Sequence, residues 1–268
     1  MSMTPSRQEA AGTPTVPSAA ELLHFLQTFS SCLLACASPT MRVDRNAQRI
    51  AHTYGYDVEL ALFPKHLMIT VMRPDGQHQT SVASIQAGGP HFRKLAALNA
   101  LGWQIVDERL ELDEAWRRLE AIMALPAVNQ RWLRLFVACA NAAFCRLFDG
   151  DAVAMLLVFL ATLGGFCVRQ FLHKRGLDGK MVFLLSAFAA SLLASPGVIW
   201  GLGQTPQTAL AASVLFLIPG IPLINAMHDI LDGHVLMGLA RFVQAGILIV
   251  CIALGLSLTM LLLGVNLR

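Results

Sequence analysis

Residues 213–241 read SVLFLIPGIPLINAMHDILDGHVLMGLAR. The stretch opens as an apolar helix and is interrupted by Pro219-Gly220 and again by Pro222. It continues through Asn225, His228, Asp229, Asp232 and His234 into a new apolar run. No Asp, Glu, Lys or Arg occurs from residue 181 through His228, so Asp229 and Asp232 close a run of membrane-grade sequence. Proline removes a backbone donor and breaks a helix. Carbonyls freed that way inside a bilayer must be buried in protein or face water. A broken helix followed by ionisable groups, set between two apolar runs, predicts a transport site.

The rest of the chain sets the class. It is 55% hydrophobic and only 14% charged over 268 residues, whereas soluble domains carry about 25% charged residues. The deficit is uneven: no glutamate follows Glu120, and few charges follow Arg146. The first half reads as soluble and the second as membrane. The net charge of +3 and the lack of a basic run with interleaved aromatics exclude a nucleic-acid partner. The cysteines are Cys32, Cys36, Cys139, Cys145, Cys167 and Cys251, with no C-x-x-C pair, and they read as packing residues.

Residues 1–18 are small, polar and Pro-containing and read as a disordered tail. Residues 19–125 form the soluble domain. An amphipathic helix is expected over 22–37, and a second over 41–54 with Thr40 as its N-cap and Gly55 at its C-terminal end. Period-two alternation then predicts strands at 57–63, 67–72 and 77–84, joined by Pro64-Lys65-His66 and by Arg73-Pro74-Asp75-Gly76. Helices over 91–107 and from about 113 to 123 complete a small α+β domain with an antiparallel meander. Its polar residues Asp44, Arg45, Glu59, Lys65, His66, His78, Arg93 and Asn99 form no G-x-S-x-G, P-loop, H-E-x-x-H or G-x-G-x-x-G pattern, so no catalytic residue, metal or cofactor is expected.

Residues 131–268 predict five transmembrane helices, at about 132–148, 152–171, 181–200, 207–221 and from 235 or 242 to 263. Gly164-Gly165 suits close helix contact. Basic residues cluster before span one, between spans two and three, and near Arg241. The positive-inside rule then puts the soluble domain in the cytoplasm and Arg268 outside. Each polar group near the bilayer has two readings. Asn141 binds substrate or makes an interhelical hydrogen bond. Arg146 recognises a carboxylate, or anchors at the surface beside Asp149 or Asp151. Asp229 and Asp232 carry protons or cap a cytoplasmic turn. Pro219, Gly220, Pro222 and Asn225 line a path or simply end span four. His228 and His234 lack metal-site spacing.

These residues resemble the threonine/serine exporter family, specifically its N-terminal, larger half, from about residue 22 to 263. The most specific block is Pro219-Gly220, Pro222-Leu223, Asn225-Ala226, Asp229, Gly233 and Gly238. A second is ACANAAFCRLF at 138–148 with Asp149-Gly150, and 166–170 and 95–99 add to it. A glycine and a glutamate that the family often has before and within the second soluble helix are replaced around Ala37 and by Asp44. The resemblance implies a multi-pass bacterial inner-membrane exporter of threonine and serine, or of succinate in two-subunit members, driven by the proton gradient. It also implies a smaller five-helix half. The chain runs five residues past Leu263, so that half is expected as a separate membrane subunit in a hetero- or homo-oligomer. The rival readings are a membrane-tethered hydrolase using the soluble domain and a non-transporting scaffold subunit.

Overall fold

The structure, a computed structural model, describes residues 17–85, 88–126 and 128–264. The expected tail, apart from Pro17 and Ser18, and the expected outer position of Arg268 lie outside the described residues. The chain forms two compact units: one holds the residues up to Leu125 together with Asn225–Gly238, the other those from Pro126 to Ile224 and from Leu239 onward.

In the first unit, helix α1 (Ala19–Ala35) is started by a capping box. The Ser18 hydroxyl accepts from the Glu21 N–H at 3.3 Å, and the Glu21 carboxylate accepts from the Ser18 N–H at 2.8 Å. Leu22, Phe25, Leu26, Phe29 and Leu33 fall on one helical face and are fully buried. Each contributes about 1.5–3 kcal/mol by leaving water. Helix α2 (Thr40–Thr53) buries Val43, Ala47 and Ile50 against the same core. It starts at the expected cap residue itself: Pro39 holds the cap position, one residue earlier, and gives no side-chain hydrogen bond, so Thr40 is already helical. Gly55, with φ of 79°, ends α2, its N–H and that of Tyr56 returning to the carbonyls of His52 and Ala51.

Strands β1 (Asp57–Leu62), β2 (His66–Met72) and β3 (His78–Ser84) form an antiparallel sheet in the order β1-β2-β3. The register pairs Val58 with Val71, Leu60 with Ile69 and Leu62 with Leu67, which puts the expected apolar set on one face. Helices α3 (Phe92–Asp107) and α4 (Leu112–Met123) close the core with Leu98, Leu101, Ile105 and Leu119. Burial pushes the Tyr54 hydroxyl up to about 12, while its O–H donates to the Leu110 carbonyl at 2.8 Å.

The second unit is helical. It contains α5 (Gln130–Leu147), α6 (Ala152–Lys174), α7 (Gly179–Ala194) leading into α8 (Pro196–Ile199), and α9 (Pro206–Ala212). A single 3₁₀ turn at Leu215–Leu217 precedes α10 (Gly220–Leu231), and α11 (Val235–Leu263) follows. The unit boundaries fall inside α10 and α11. Among the described residues, three segments are long and apolar enough to cross a bilayer: Ala152–Lys174, Gly179–Ile199 and Val235–Leu263. A fourth is added if Pro206–Leu217 and Gly220–Leu231, bent by 60°, count as one span. Helix α5 is not among them, because its 18 residues hold Arg131, Arg134 and Arg146.

Small residues let these helices approach closely. A Cβ on Gly165 would lie 2.8 Å from the Ala190 Cβ, and one on Gly255 only 2.5 Å from the Leu184 carbonyl oxygen. Asp151 ties two loops together. It caps α6 through the Ala154 N–H, takes the Gln204 N–H at 2.9 Å, and accepts from the Thr205 hydroxyl at 3.0 Å. These bonds, that from Gln204 foremost, hold its carboxyl below the usual range.

Candidate functional site

The break begins where α9 stops. A helix end leaves its last carbonyls without partners, and here side chains take them. The Ser213 hydroxyl donates to the Leu210 carbonyl at 2.7 Å. The Asn141 amide donates to the Ala212 carbonyl at 3.1 Å and to the Thr162 hydroxyl at 2.7 Å. Asn141 is buried and joins α5, α6 and α9. Beyond it, the Leu217 and Ile218 N–H groups return to the Val214 and Leu215 carbonyls. The expectation that the break leaves its carbonyls unpaired is therefore corrected at these four positions.

Pro219 sits at the bend, and its carbonyl accepts from the Leu223 N–H at 3.2 Å, so it starts α10. Gly220 opens that helix, and a Cβ there would meet nothing within 4 Å. Pro222 does not make the second break expected of it. It is the third residue of α10, where the missing N–H has no intrahelical acceptor to lose. Arg146 is exposed and donates to the Gly150 carbonyl at 3.2 Å, not to the carboxylates of Asp149 or Asp151.

Asn225, Asp229 and Asp232 belong to the first unit. The expected loop around Asn225 and Asp229 is helix: both lie on α10, one turn apart, and both are buried. The Asn225 amide donates to the Ala37 carbonyl at 2.7 Å. The Asp229 carboxylate accepts from the Thr40 N–H at 2.8 Å. Asp229 thus serves the N-terminus of α2, where a negative group is favoured by the helix dipole and Pro39 offers no cap. Asp232 follows α10, exposed, ahead of Gly233 with φ of 88°.

The turn that they grip has its own strain. Ala37 takes φ of 64°, its N–H bonding the Leu34 carbonyl at 3.0 Å and the Ser38 N–H the Leu33 carbonyl at 3.1 Å. This is the left-handed position after a helix that glycine usually fills. The contacts of Ala37 and Thr40 with α10 escaped the sequence reading, because partners 188 and 189 residues away leave no local pattern. Asp44, further along α2, has its carboxyl pushed upward by burial, against smaller pulls from His234, a Gln48 hydrogen bond and Arg45.

An N-terminal α+β unit and a set of apolar helices with one bent pair define a multi-pass helical membrane protein. The model of the family described as "Putative threonine/serine exporter" matches residues 24–263, and the chain belongs to that family. It is 30% identical over 239 residues to the "Probable succinate transporter subunit YjjP" of Escherichia coli, covering 87% of this chain and 91% of that one. The protein of the same name from Klebsiella aerogenes is 29% identical over the same shares. A "Probable threonine/serine exporter" of Mycobacterium tuberculosis is 26% identical over 233 residues, which are 81% of this chain and 42% of that relative. No solved structure matches.

Proposed function

We propose that the chain is one subunit of a bacterial inner-membrane secondary exporter of small hydrophilic metabolites, driven by the proton gradient and completed by a second, small membrane subunit. The observation that carries this is the break at residues 213–219. A span whose one Asp, Glu, Lys or Arg is Asp229 bends by 60° in a chain of an exporter family, and discontinuous helices are where transporters build their substrate sites. Dicarboxylates are favoured over threonine and serine, because the two relatives covered to 91% of their length are named as succinate transporter subunits. The word subunit in those names supports the partner.

In this reading α5 is the fifth span, and the positive-inside rule sets the first unit in the cytoplasm. Alternating access is organised about the bend. Asn141 holds the broken end of α9, and Pro219 and Gly220 shape the bend. Arg146 offers a guanidinium to a carboxylate on the outer side. Asp229 and Asp232, at the cytoplasmic end of α10, are the proton-coupling groups. The test is flux in proteoliposomes holding the chain and the small partner, with labelled succinate, threonine and serine under an imposed proton gradient. Gradient-dependent flux of succinate is expected; none with any of the three refutes the proposal. Unchanged proton-driven flux in Asp229→Asn removes that residue from coupling.

A further inference from the structure

The first unit contains a cavity of about 310 Å³, of whose lining this transport reading uses Asp232 alone. Its wall is formed by one face of α2. Arg42, Arg45 and Arg49 line it, spaced three and then four residues apart, with Asn46 between them and Asn99 opposite on α3. Like charges at such spacings repel along a helix. None of these three arginines takes part in an ion pair among the described residues. Three arginines therefore line one concave surface without a carboxylate ion-paired to them among the described residues.

Arg49 and Asn46 are already oriented. The Arg49 guanidinium lies over the Trp103 ring, 3.6 Å from its centroid. Stacking fixes the plane of the fork and leaves its in-plane donors available. One of them, Nη1, is shut from solvent and makes no hydrogen bond among the described residues. Asn46 is buried, and its amide donates to the Arg42 carbonyl at 2.8 Å and to Asn99 Oδ1 at 3.4 Å. With Oδ1 accepting, the Asn99 Nδ2 donors have no hydrogen bond among the described residues.

We propose that this cavity binds a small organic dianion carrying two carboxylates. The inference rests on the dicarboxylate reading above for its biological sense, and on the cavity for its chemistry. A guanidinium fork matches a carboxylate with two parallel hydrogen bonds. From Arg42 to Arg49 the helix rises about 10 Å, so the positive wall is elongated. Two anionic groups on a short chain use its length better than one compact anion does. Pro39 and Met41, also in the wall, give the carbon chain an apolar surface. Asp232 and His228 complete the lining. The carboxylate of Asp232 opposes an anion and sets a ceiling on affinity, which suits a site that must release its ligand.

The test is equilibrium binding of labelled succinate to the purified full-length chain, beside flux in the proteoliposomes described above. Wild type is expected to bind saturably. Arg42→Gln with Arg45→Gln should weaken binding by on the order of a hundredfold, about tenfold for each charge-assisted pair lost. Both side chains are exposed, and an unchanged circular-dichroism spectrum confirms folding. Asp232→Asn should tighten binding severalfold. Threonine, inorganic phosphate and vesicles of anionic phospholipid are the competing arms, and each should displace succinate poorly. Succinate binding within twofold of wild type in the double variant overturns the proposal, as does displacement by phosphate or anionic lipid at equal concentration. Flux without binding overturns the cavity assignment and leaves the exporter reading standing. Binding without flux of any of the three substrates does the reverse.

Discussion

Removal of the Asp229 carboxylate probes the contact that joins the two ends of the first unit's sequence. Asp229 is fully buried, and its Oδ1 accepts from the Thr40 N–H at 2.8 Å. Thr40 is fully buried as well, and Pro39 supplies no alternative acceptor. A hydrogen bond to a charged group contributes about 1.5–3 kcal/mol. The helix dipole adds about 0.3–1 kcal/mol, more where the group is partly buried. The two effects overlap, so Asp229→Ala should cost the start of α2 about 3 kcal/mol, or roughly a hundredfold in an opening equilibrium. Asp229→Asn keeps an acceptor and loses the charge, so its cost is about 1 kcal/mol. The assay is amide hydrogen exchange of the full-length protein, followed by mass spectrometry on peptides covering residues 38–46. Peptides from α3 serve as the internal reference. Exchange should accelerate by roughly a hundredfold in the Ala variant and about fivefold in the Asn variant. Exchange within twofold of wild type in Asp229→Ala would refute the argument that this carboxylate holds α2.

Three further outcomes are expected. Ala37→Gly relieves a φ of 64° that costs an L residue about 1–2 kcal/mol. After the extra freedom of glycine in the unfolded chain is set against that, the first unit should gain up to about 1 kcal/mol, read as a higher melting temperature. Gly255→Ala places a Cβ 2.5 Å from the Leu184 carbonyl oxygen, and backbone cannot swing aside as a side chain does. The variant should lose about 1–3 kcal/mol and melt earlier in detergent. Asp44→Asn tests the carboxyl that burial raises. A raised carboxyl binds its proton more tightly in the folded state, so stability falls as pH rises through the raised value and stays lower above it. The Asn variant should therefore be the more stable protein at neutral pH. The two melting curves should converge below the unfolded Asp value of about 3.9.

The elements of the first unit were legible because each carries its own period. The alternation Leu67, Ile69, Val71 fixes both the strand and its inner face. The spacing Leu22, Phe25, Leu26, Phe29, Leu33 does the same for α1. Apolar length was equally plain for α6, α7–α8 and α11. Proline was harder to read. Pro219 and Pro222 look alike in sequence, yet only Pro219 lies at the bend, since Pro222 falls in the first turn of a new helix where its defect costs nothing. Helix α5 is ambiguous in composition, and its three arginines keep it apart from the more apolar helices. Of the candidate site, the residue types were visible and the partners were not. Nothing local to Asn225 or Asp229 announces Ala37 and Thr40, and nothing local to Asn141 announces the end of α9.

The segment Asn225–Gly238 belongs with the residues up to Leu125, and this constrains the order of synthesis. Everything else in that unit is made first, while the acceptor for the Thr40 N–H and the donor for the Ala37 carbonyl leave the ribosome roughly a hundred residues later. At ordinary elongation rates that delay is on the order of ten seconds. During it the nascent unit has its sheet and core helices and lacks the piece that fastens the start of α2. A fragment cut at Leu125 stays in that unfinished state, and a peptide spanning Asn225–Gly238, supplied in trans, should restore its missing bonds.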